Sequence, residues 1–292
     1  MSGGDYIAID WGTTNRRAYL MRGDGSILDT VRDDRGAIRL SPEDYPGEIA
    51  AIRSRYGSLP VIAAGMIGSS RGWQEVAYCD APAAIADLAG GIARCGDDVA
   101  LVPGVAVRDQ GCPDVMRGEE VQVLGALRFA GVSGPALFCQ PGTHNKWITT
   151  QGDRIVAIRT AMTGELFELL RSRSILSEML GGTVEDGASF RAGLDRGGRA
   201  PDLLTALFEA RAAVLLGDRV AEETASYVSG LLIGADVASQ VSEAGGEVLL
   251  LASGDLAELY TTAITRFGRV ARLLDSTRAF SAGIHAVWEE LQ

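Results

Sequence analysis

A β-meander occurs twice in this chain, and the repetition narrows the available folds more than any other feature. Residues 6–11, Tyr-Ile-Ala-Ile-Asp-Trp, read as a buried strand broken by Gly12-Thr13-Thr14-Asn15. Arg16 to Met21 reads as a second strand, Gly23-Asp24-Gly25 as a hairpin turn, and Ile27 onward as a third strand. About 130 residues later the pattern returns. Ala136 to Cys139 is a short buried strand broken by Gln140-Pro141-Gly142-Thr143, Lys146 to Thr150 a second strand, Gln151-Gly152-Asp153 a turn, and Arg154 to Thr160 a third strand. Two unrelated hairpins would be the plainer explanation. Two related domains facing each other explain the shared order of strand, Gly-Thr turn, strand, Gly/Asp turn, strand.

Val61 to Met66 reads as another buried strand, and Glu119 to Phe129 has helical spacing, with Val121, Leu124 and Leu127 on or near one face. After the second meander helices dominate. Leu166, Phe167, Leu169 and Leu170 make an apolar face behind Thr163, which is expected to cap it. Tyr227 to Val237 is mostly apolar, with Gly230 and Gly234 four apart for close packing. Glu247 to Ala252 reads as a strand ending in Ser253-Gly254-Asp255, and Phe280 to Leu291 as a terminal helix. Gly181–Gly198 reads as a polar excursion.

At 292 residues the chain holds one large domain or two of ordinary size, and 47% apolar with 22% charged residues is a globular composition. A net charge of −11 disfavours nucleic acid and anionic membranes as partners, so an anionic ligand needs a local site. Cys79, Cys95, Cys112 and Cys139 are irregularly spaced, and His144 and His285 are far apart in sequence. Buried reduced thiols are expected, not a zinc site. No run approaches the ~18 to 20 apolar residues of a membrane span. The N-terminus has no charged segment followed by an apolar run, so a cytoplasmic protein is expected.

Chemistry concentrates in the strand-end turns. After Asp10, Gly12 permits close backbone approach to a phosphate, and the Thr13 and Thr14 hydroxyls can donate to its oxygens. A carboxylate there would repel the phosphate unless Mg²⁺ sits between them. A tight turn capped by Asp and Thr is the structural alternative. The recurrence at Gly142-Thr143, with Ser253-Gly254 ending a third strand, favours a nucleotide between two lobes. Neither a P-loop nor a Rossmann glycine fingerprint is present.

Ile-Asp-Trp-Gly-Thr-Thr-Asn resembles the first phosphate motif of the sugar-kinase and actin-like ATPase superfamily. Pro-Gly-Thr-His-Asn-Lys-Trp resembles the second, and Ala-Ser-Gly-Asp the adenosine-contacting one. Gly65-Met66-Ile67-Gly68-Ser69 with Gly72-Trp73, Val115 to Glu120, Met162 to Leu166 and Leu232 to Ala235 look like the 2-dehydro-3-deoxygalactonokinase family. The resemblance runs from about residue 6 to about residue 286, with Asn145 a minor departure and Gly181–Gly198 the least securely matched region. It implies an α/β fold of two RNase H-like lobes with an ATP cleft between them: residues 1–133, with helix 279–292 packing back, and residues 134–278. It also implies transfer of the ATP γ-phosphoryl group to the terminal hydroxyl of 2-dehydro-3-deoxy-D-galactonate in galactonate catabolism.

Roles follow from the same resemblance. Asp10 would hold Mg²⁺ through water. Gly12, Thr13, Thr14, Asn15, Gly142 and Thr143 would contact the phosphates, and Ser253 and Gly254 the adenosine. Glu119 is the expected catalytic base, by analogy with a Gly-x-Glu-Glu string in exopolyphosphatases, with Asp114 and Glu120 as rivals. A helix N-terminus favoured by acidic side chains also explains Glu119-Glu120. Arg71, Trp73, Arg117 and His144 are the expected substrate contacts, arginine suiting bidentate capture of a carboxylate. Lys146, the only lysine among 27 basic residues, is expected close to phosphate or to the sugar acid's oxygens. The alternative is chance retention at an exposed site. On the functional reading, Lys146→Arg costs nearly as much activity as Lys146→Met and leaves thermal stability almost unchanged. A polyphosphate hydrolase and a kinase for another keto-deoxy sugar acid are the competing activities. Oligomeric state stays open, a homodimer included.

Overall fold

The computed structural model describes residues 4–108, 111–132, 134–199, 202–241 and 246–292. The first meander forms where alternation and turn residues place it: β1 (Tyr6–Trp11), β2 (Arg16–Met21) and β3 (Ile27–Asp33). Next come α1 (Tyr45–Tyr56), β4 (Val61–Gly65), β5 (Cys79–Asp80), α2 (Ile85–Gly90), β6 (Ala93–Cys95), β7 (Val99–Leu101), β8 (Val105–Val107), β9 (Asp114–Met116) and α3 (Glu119–Leu127). The second meander is β10 (Ala136–Gln140), β11 (Asn145–Gln151) and β12 (Arg154–Ala161). It is followed by α4 (Thr163–Arg173), α5 (Ala188–Gly198), α6 (Leu203–Leu215), α7 (Ala221–Gln240), β13 (Glu247–Leu250), α8 (Asp255–Arg266), β14 (Val270–Leu273) and α9 (Ser276–Glu289).

The two large sheets share one plan. The first has the order β3-β2-β1-β4-β7-β6 and the second β12-β11-β10-β13-β14. In each, the meander's first strand pairs in parallel with a later strand, Asp10 opposite Ala64 and Cys139 opposite Leu250. The two-residue link between β11 and β12 suits an antiparallel pair, while parallel neighbours need crossovers, here helical. The repeated strand order is the duplicated RNase H-like arrangement expected from the sequence. The first sheet adds β6 as an antiparallel edge, and β5-β8-β9 form a small third sheet.

The chain divides into two compact units, one of Met1–Pro135, Ile148–Ile158 and Asp275–Gln292, the other of Ala136–Trp147 and Arg159–Leu274. In the first, Ile9, Trp11, Tyr45, Ile49, Ala63 and Leu101 form the core between sheet and α1. Ala83 and Ile155 bridge antiparallel, and Arg154 reaches Asp87 at 3.0 Å. The terminal helix α9 lies against α3. A methyl added to Gly125 would lie 1.9 Å from the Ala279 carbonyl oxygen, and one on Gly283 would lie 1.9 Å from that of Val121. In the second unit, Trp147, Phe190, Val237, Val248 and Leu250 share a core.

Three expectations need correction. The stretch 181–198 contains α5, whose Phe190 and Leu194 are fully buried. It packs on α7 through small residues, a methyl on Gly230 lying 2.1 Å from the Phe190 carbonyl oxygen. Thr163 is the first residue of α4 and not its cap, because its hydroxyl donates to Asp236. No disulfide joins the four cysteines, but only Cys139 is buried and Cys112 is exposed. No helix among the described residues is long and apolar enough to cross a membrane.

Candidate active site

In the first unit, the ends of β1 and β4 and the start of α3 converge. Gly65 and Gly118 both have positive φ, which only glycine adopts freely. A methyl on Gly65 would lie 2.5 Å from the Trp11 carbonyl oxygen, and one on Gly118 would lie 3.2 Å from Gly65 Cα. This contact sets the start of α3, and so Glu119, beside the end of β1.

Asp10 is half-buried there, opposite Arg17 in the β1–β2 register, with Arg17 Nη1 at 3.7 Å. Burial pushes its carboxyl up to about 6; Arg17 acts against this, and the negative charge of Glu119 adds to it. Two acidic groups therefore sense each other at the head of the first turn. Asp114 starts β9. Glu119 is half-buried and accepts the Arg117 backbone N–H at 3.0 Å. Glu120 is fully buried, accepts the Gly118 N–H, and is pushed up to about 8 by burial and then by Glu119.

The first turn is braced from behind. Gly36 donates to the Thr14 carbonyl, Ala37 to that of Gly12 and Ile38 to that of Thr13, at 3.2, 3.0 and 3.0 Å. A methyl on Gly36 would meet Thr13 and Thr14 backbone at 2.2 to 2.4 Å, so only glycine lets this brace approach. Thr13, Thr14 and Asn15 are left exposed, with Asn15 donating to Thr14 Oγ1 at 2.9 Å.

The expected substrate residues are placed differently from one another. Arg71 is exposed. Trp73 packs against the core, its ring parallel to that of Tyr45 at 6.3 Å. Arg117 is buried, donates from Nη2 to the Val76 carbonyl at 2.7 Å and stacks over Tyr78 at 4.4 Å. Trp73 stays half-buried, and Arg117 Nε and Nη1 make no hydrogen bond among the described residues.

In the second unit, the turn after β10 exposes Thr143 and His144, with Gly142 partly covered. The start of α4 lies on it: a methyl on Gly164 would be 2.4 Å from the Gly142 carbonyl oxygen, and the Glu165 N–H donates to Thr143 at 2.8 Å. The Glu165 carboxylate meets His144 Nε2 at 2.5 Å. On β11, alternation turns Asn145 and Trp147 to one face and Lys146 to the other. Asn145 and Trp147 both donate to Asp236, at 2.6 and 2.8 Å. Lys146 is buried and donates to Thr160 Oγ1 at 2.8 Å, which removes the reading of a lysine left on the surface by chance. Ser253 and Gly254 are exposed just after β13, the parallel neighbour of β10, and Gly254 opens α8. Both turns thus follow the carboxyl ends of adjacent parallel strands, the usual ligand edge of such sheets.

Sequence reasoning missed Glu165, Thr160, Gly36 and Asp236. Two of them carried a signal: Glu165 lies in the family-like string Met162 to Leu166, and Asp236 is the one acidic residue in the apolar run from Tyr227 to Val237.

A profile of the family described as 2-keto-3-deoxy-galactonokinase matches residues 10–287. The chain is 37% identical over 296 residues to a probable 2-dehydro-3-deoxygalactonokinase of Rhizobium meliloti (strain 1021), covering 97% of this chain and 96% of that protein. It is 36% identical over 286 residues to the 2-dehydro-3-deoxygalactonokinase of Escherichia coli (strain K12), covering 97% of each. Among solved structures, a putative 2-dehydro-3-deoxygalactonokinase from Sinorhizobium meliloti superposes with a TM-score of 0.89 at 38% identity, covering 97% and 96% of the two chains.

Proposed function

This chain belongs to the 2-keto-3-deoxy-galactonokinase family, and on that premise we propose how its residues carry the reaction. The protein is an ATP-dependent kinase of 2-dehydro-3-deoxy-D-galactonate, with the sugar-kinase and actin-like ATPase fold. The terminal hydroxyl is our choice of acceptor atom. The polyphosphate-hydrolase alternative draws no support from these relatives.

The observation that carries the assignment of roles is the close approach of Gly118, at the start of α3, to Gly65 and of Gly65 to Trp11, which brings Glu119 toward Asp10. Phosphoryl transfer needs positioning and neutralisation of charge more than covalent chemistry. Two hard oxygen donors whose charges oppose each other suit Mg²⁺, which takes one or two carboxylates and fills its shell with water and phosphate oxygens. Asp10 would hold that ion through water, and the ion would screen the transferring phosphoryl group. Glu119 takes the proton of the acceptor hydroxyl. Gly12, Thr13, Thr14, Asn15, Gly142 and Thr143 are assigned to the nucleotide's phosphates, and Ser253 and Gly254 to its adenosine. Arg71, exposed beside the tightly wound 66–72 segment, is our first choice for the substrate carboxylate, with Arg117 supplying positive charge behind Glu119 and Glu120. His144, oriented by Glu165, is assigned to the substrate's oxygens. Lys146 supplies a compact positive charge beneath the second turn.

A panel of sugar acids and neutral hexoses, incubated with ATP and Mg²⁺ and read by product mass, tests the reading. Phosphorylated 2-dehydro-3-deoxygalactonate is the expected dominant product. Faster turnover of any neutral hexose would overturn it.

A further inference from the structure

We infer that Asp236 is a positioning residue for nucleotide binding: its buried carboxylate fixes the second phosphate turn to the helices that flank it. The inference rests on the kinase reading above. Asp236 lies on α7 with only 7% of its surface exposed. Its Oδ2 accepts from Asn145 Nδ2 at 2.6 Å, Thr163 Oγ1 at 2.8 Å and Tyr260 OH at 3.1 Å, and its Oδ1 accepts from Trp147 Nε1 at 2.8 Å. The donors come from β11, α4 and α8. Each of these elements borders a turn assigned to the nucleotide: β11 leaves the 142–144 turn, α4 rests on Gly142 and Thr143 through Gly164, and α8 follows directly on Gly254. One carboxylate therefore ties together the three elements that frame those turns.

Stability alone does not call for such a group. Removing a carboxylate from water costs several kcal/mol, and well-packed apolar side chains often serve a core as well or better. A recess of about 80 Å³, partly open to solvent, is bordered by Gly142, Thr163, Gly164, Ser229 and Tyr260. Two of the four donors line it, so the carboxylate holds side chains that border the second turn. Electrostatic binding of phosphate depends on donors already in place, and the four hydrogen bonds hold them.

The test is Asp236→Asn, which keeps the volume but leaves one accepting oxygen and turns an amide N–H₂ toward the donors. The expected result is a KM for ATP raised about tenfold or more, the scale of a lost charge-assisted hydrogen bond. The KM for the sugar acid stays within about twofold, and the dissociation constant for ADP with Mg²⁺, measured calorimetrically without acceptor, rises in parallel. If Asp236→Asn does not fold, Tyr260→Phe, which removes the longest of the four bonds, carries the test and is expected to raise KM for ATP about two- to threefold. A lowered kcat with parent-like KM for ATP and parent-like ADP binding, in whichever variant folds, would overturn the inference. The calorimetric arm separates it from the activity reading, since a parent protein that binds nucleotide but phosphorylates another acceptor would fail only the latter.

Discussion

Replacing Glu120 with glutamine is expected to stabilise the first unit, increasingly so as pH rises. Glu120 is fully buried, and the Gly118 N–H reaches its two oxygens at 2.8 and 2.7 Å. Burial first, and then the charge of Glu119, lift its carboxyl from 4.5 to about 8. The folded chain thus keeps a proton that the unfolded chain releases near 4.5. The contribution to stability is full below that pH, declines as pH rises, and reaches its floor above about 8. Each pH unit in that window is worth ~1.4 kcal/mol, so the whole swing is on the order of 5 kcal/mol. Glutamine keeps the volume and one acceptor for the Gly118 N–H but has no proton to lose. Urea unfolding of parent and variant from about pH 5 to pH 8.5 measures the difference. Reading the difference cancels the other titrating groups, including Asp10 with its carboxyl near 6. The two proteins should be nearly equal at pH 5, with the variant ahead by several kcal/mol at pH 8. Parallel stability profiles across that range would refute the reasoning.

Glu119→Gln should lower kcat by roughly 10²- to 10⁴-fold while leaving calorimetric ADP binding intact; parent-like turnover would move the base to Asp114 or Glu120. Lys146→Arg and Lys146→Met should both lose most activity. Because Lys146 is buried, the arginine should also cost about 1–3 kcal/mol in overpacking, correcting the expectation of unchanged stability, and paired kinetics and thermal melts read both effects. Gly36→Ala should raise KM for ATP about tenfold, because the added methyl displaces the first turn and its bracing segment. Gly36 has φ −70°, so backbone strain is not involved, and an unchanged KM would show that the turn tolerates the shift.

Much of this was legible in the sequence because alternation and turn chemistry agree at the same positions. Both meanders, β4 and α3 fall where hydropathy and glycine punctuation place them, while α9 starts at Ser276, four residues before the expected Phe280. The helix α5 was missed because its buried stripe holds only Phe190 and Leu194 as large apolar side chains, while Gly193 and Gly197 complete it by backbone approach to α7. Thr163 fits a capping pattern, but its hydroxyl is claimed by a carboxylate 73 residues away. The turns that carry chemistry are local and could be found by inspection. The network behind them is assembled from distant residues, and no local pattern announces it beyond one acidic side chain in an apolar helix.

The seating of α9 on α3 also sets an order in time. The helix that presents Glu119 is among the earlier ones made, yet the close contacts at Gly125 and Gly283 need the last helix of the chain. A ribosome adding ~5–20 residues per second takes roughly 7–30 s to travel from the end of α3 at Leu127 to the start of α9 at Ser276. Until α9 is made, the close contacts at Gly125 and Gly283 cannot form. The unit that opens the chain is closed by its last helix.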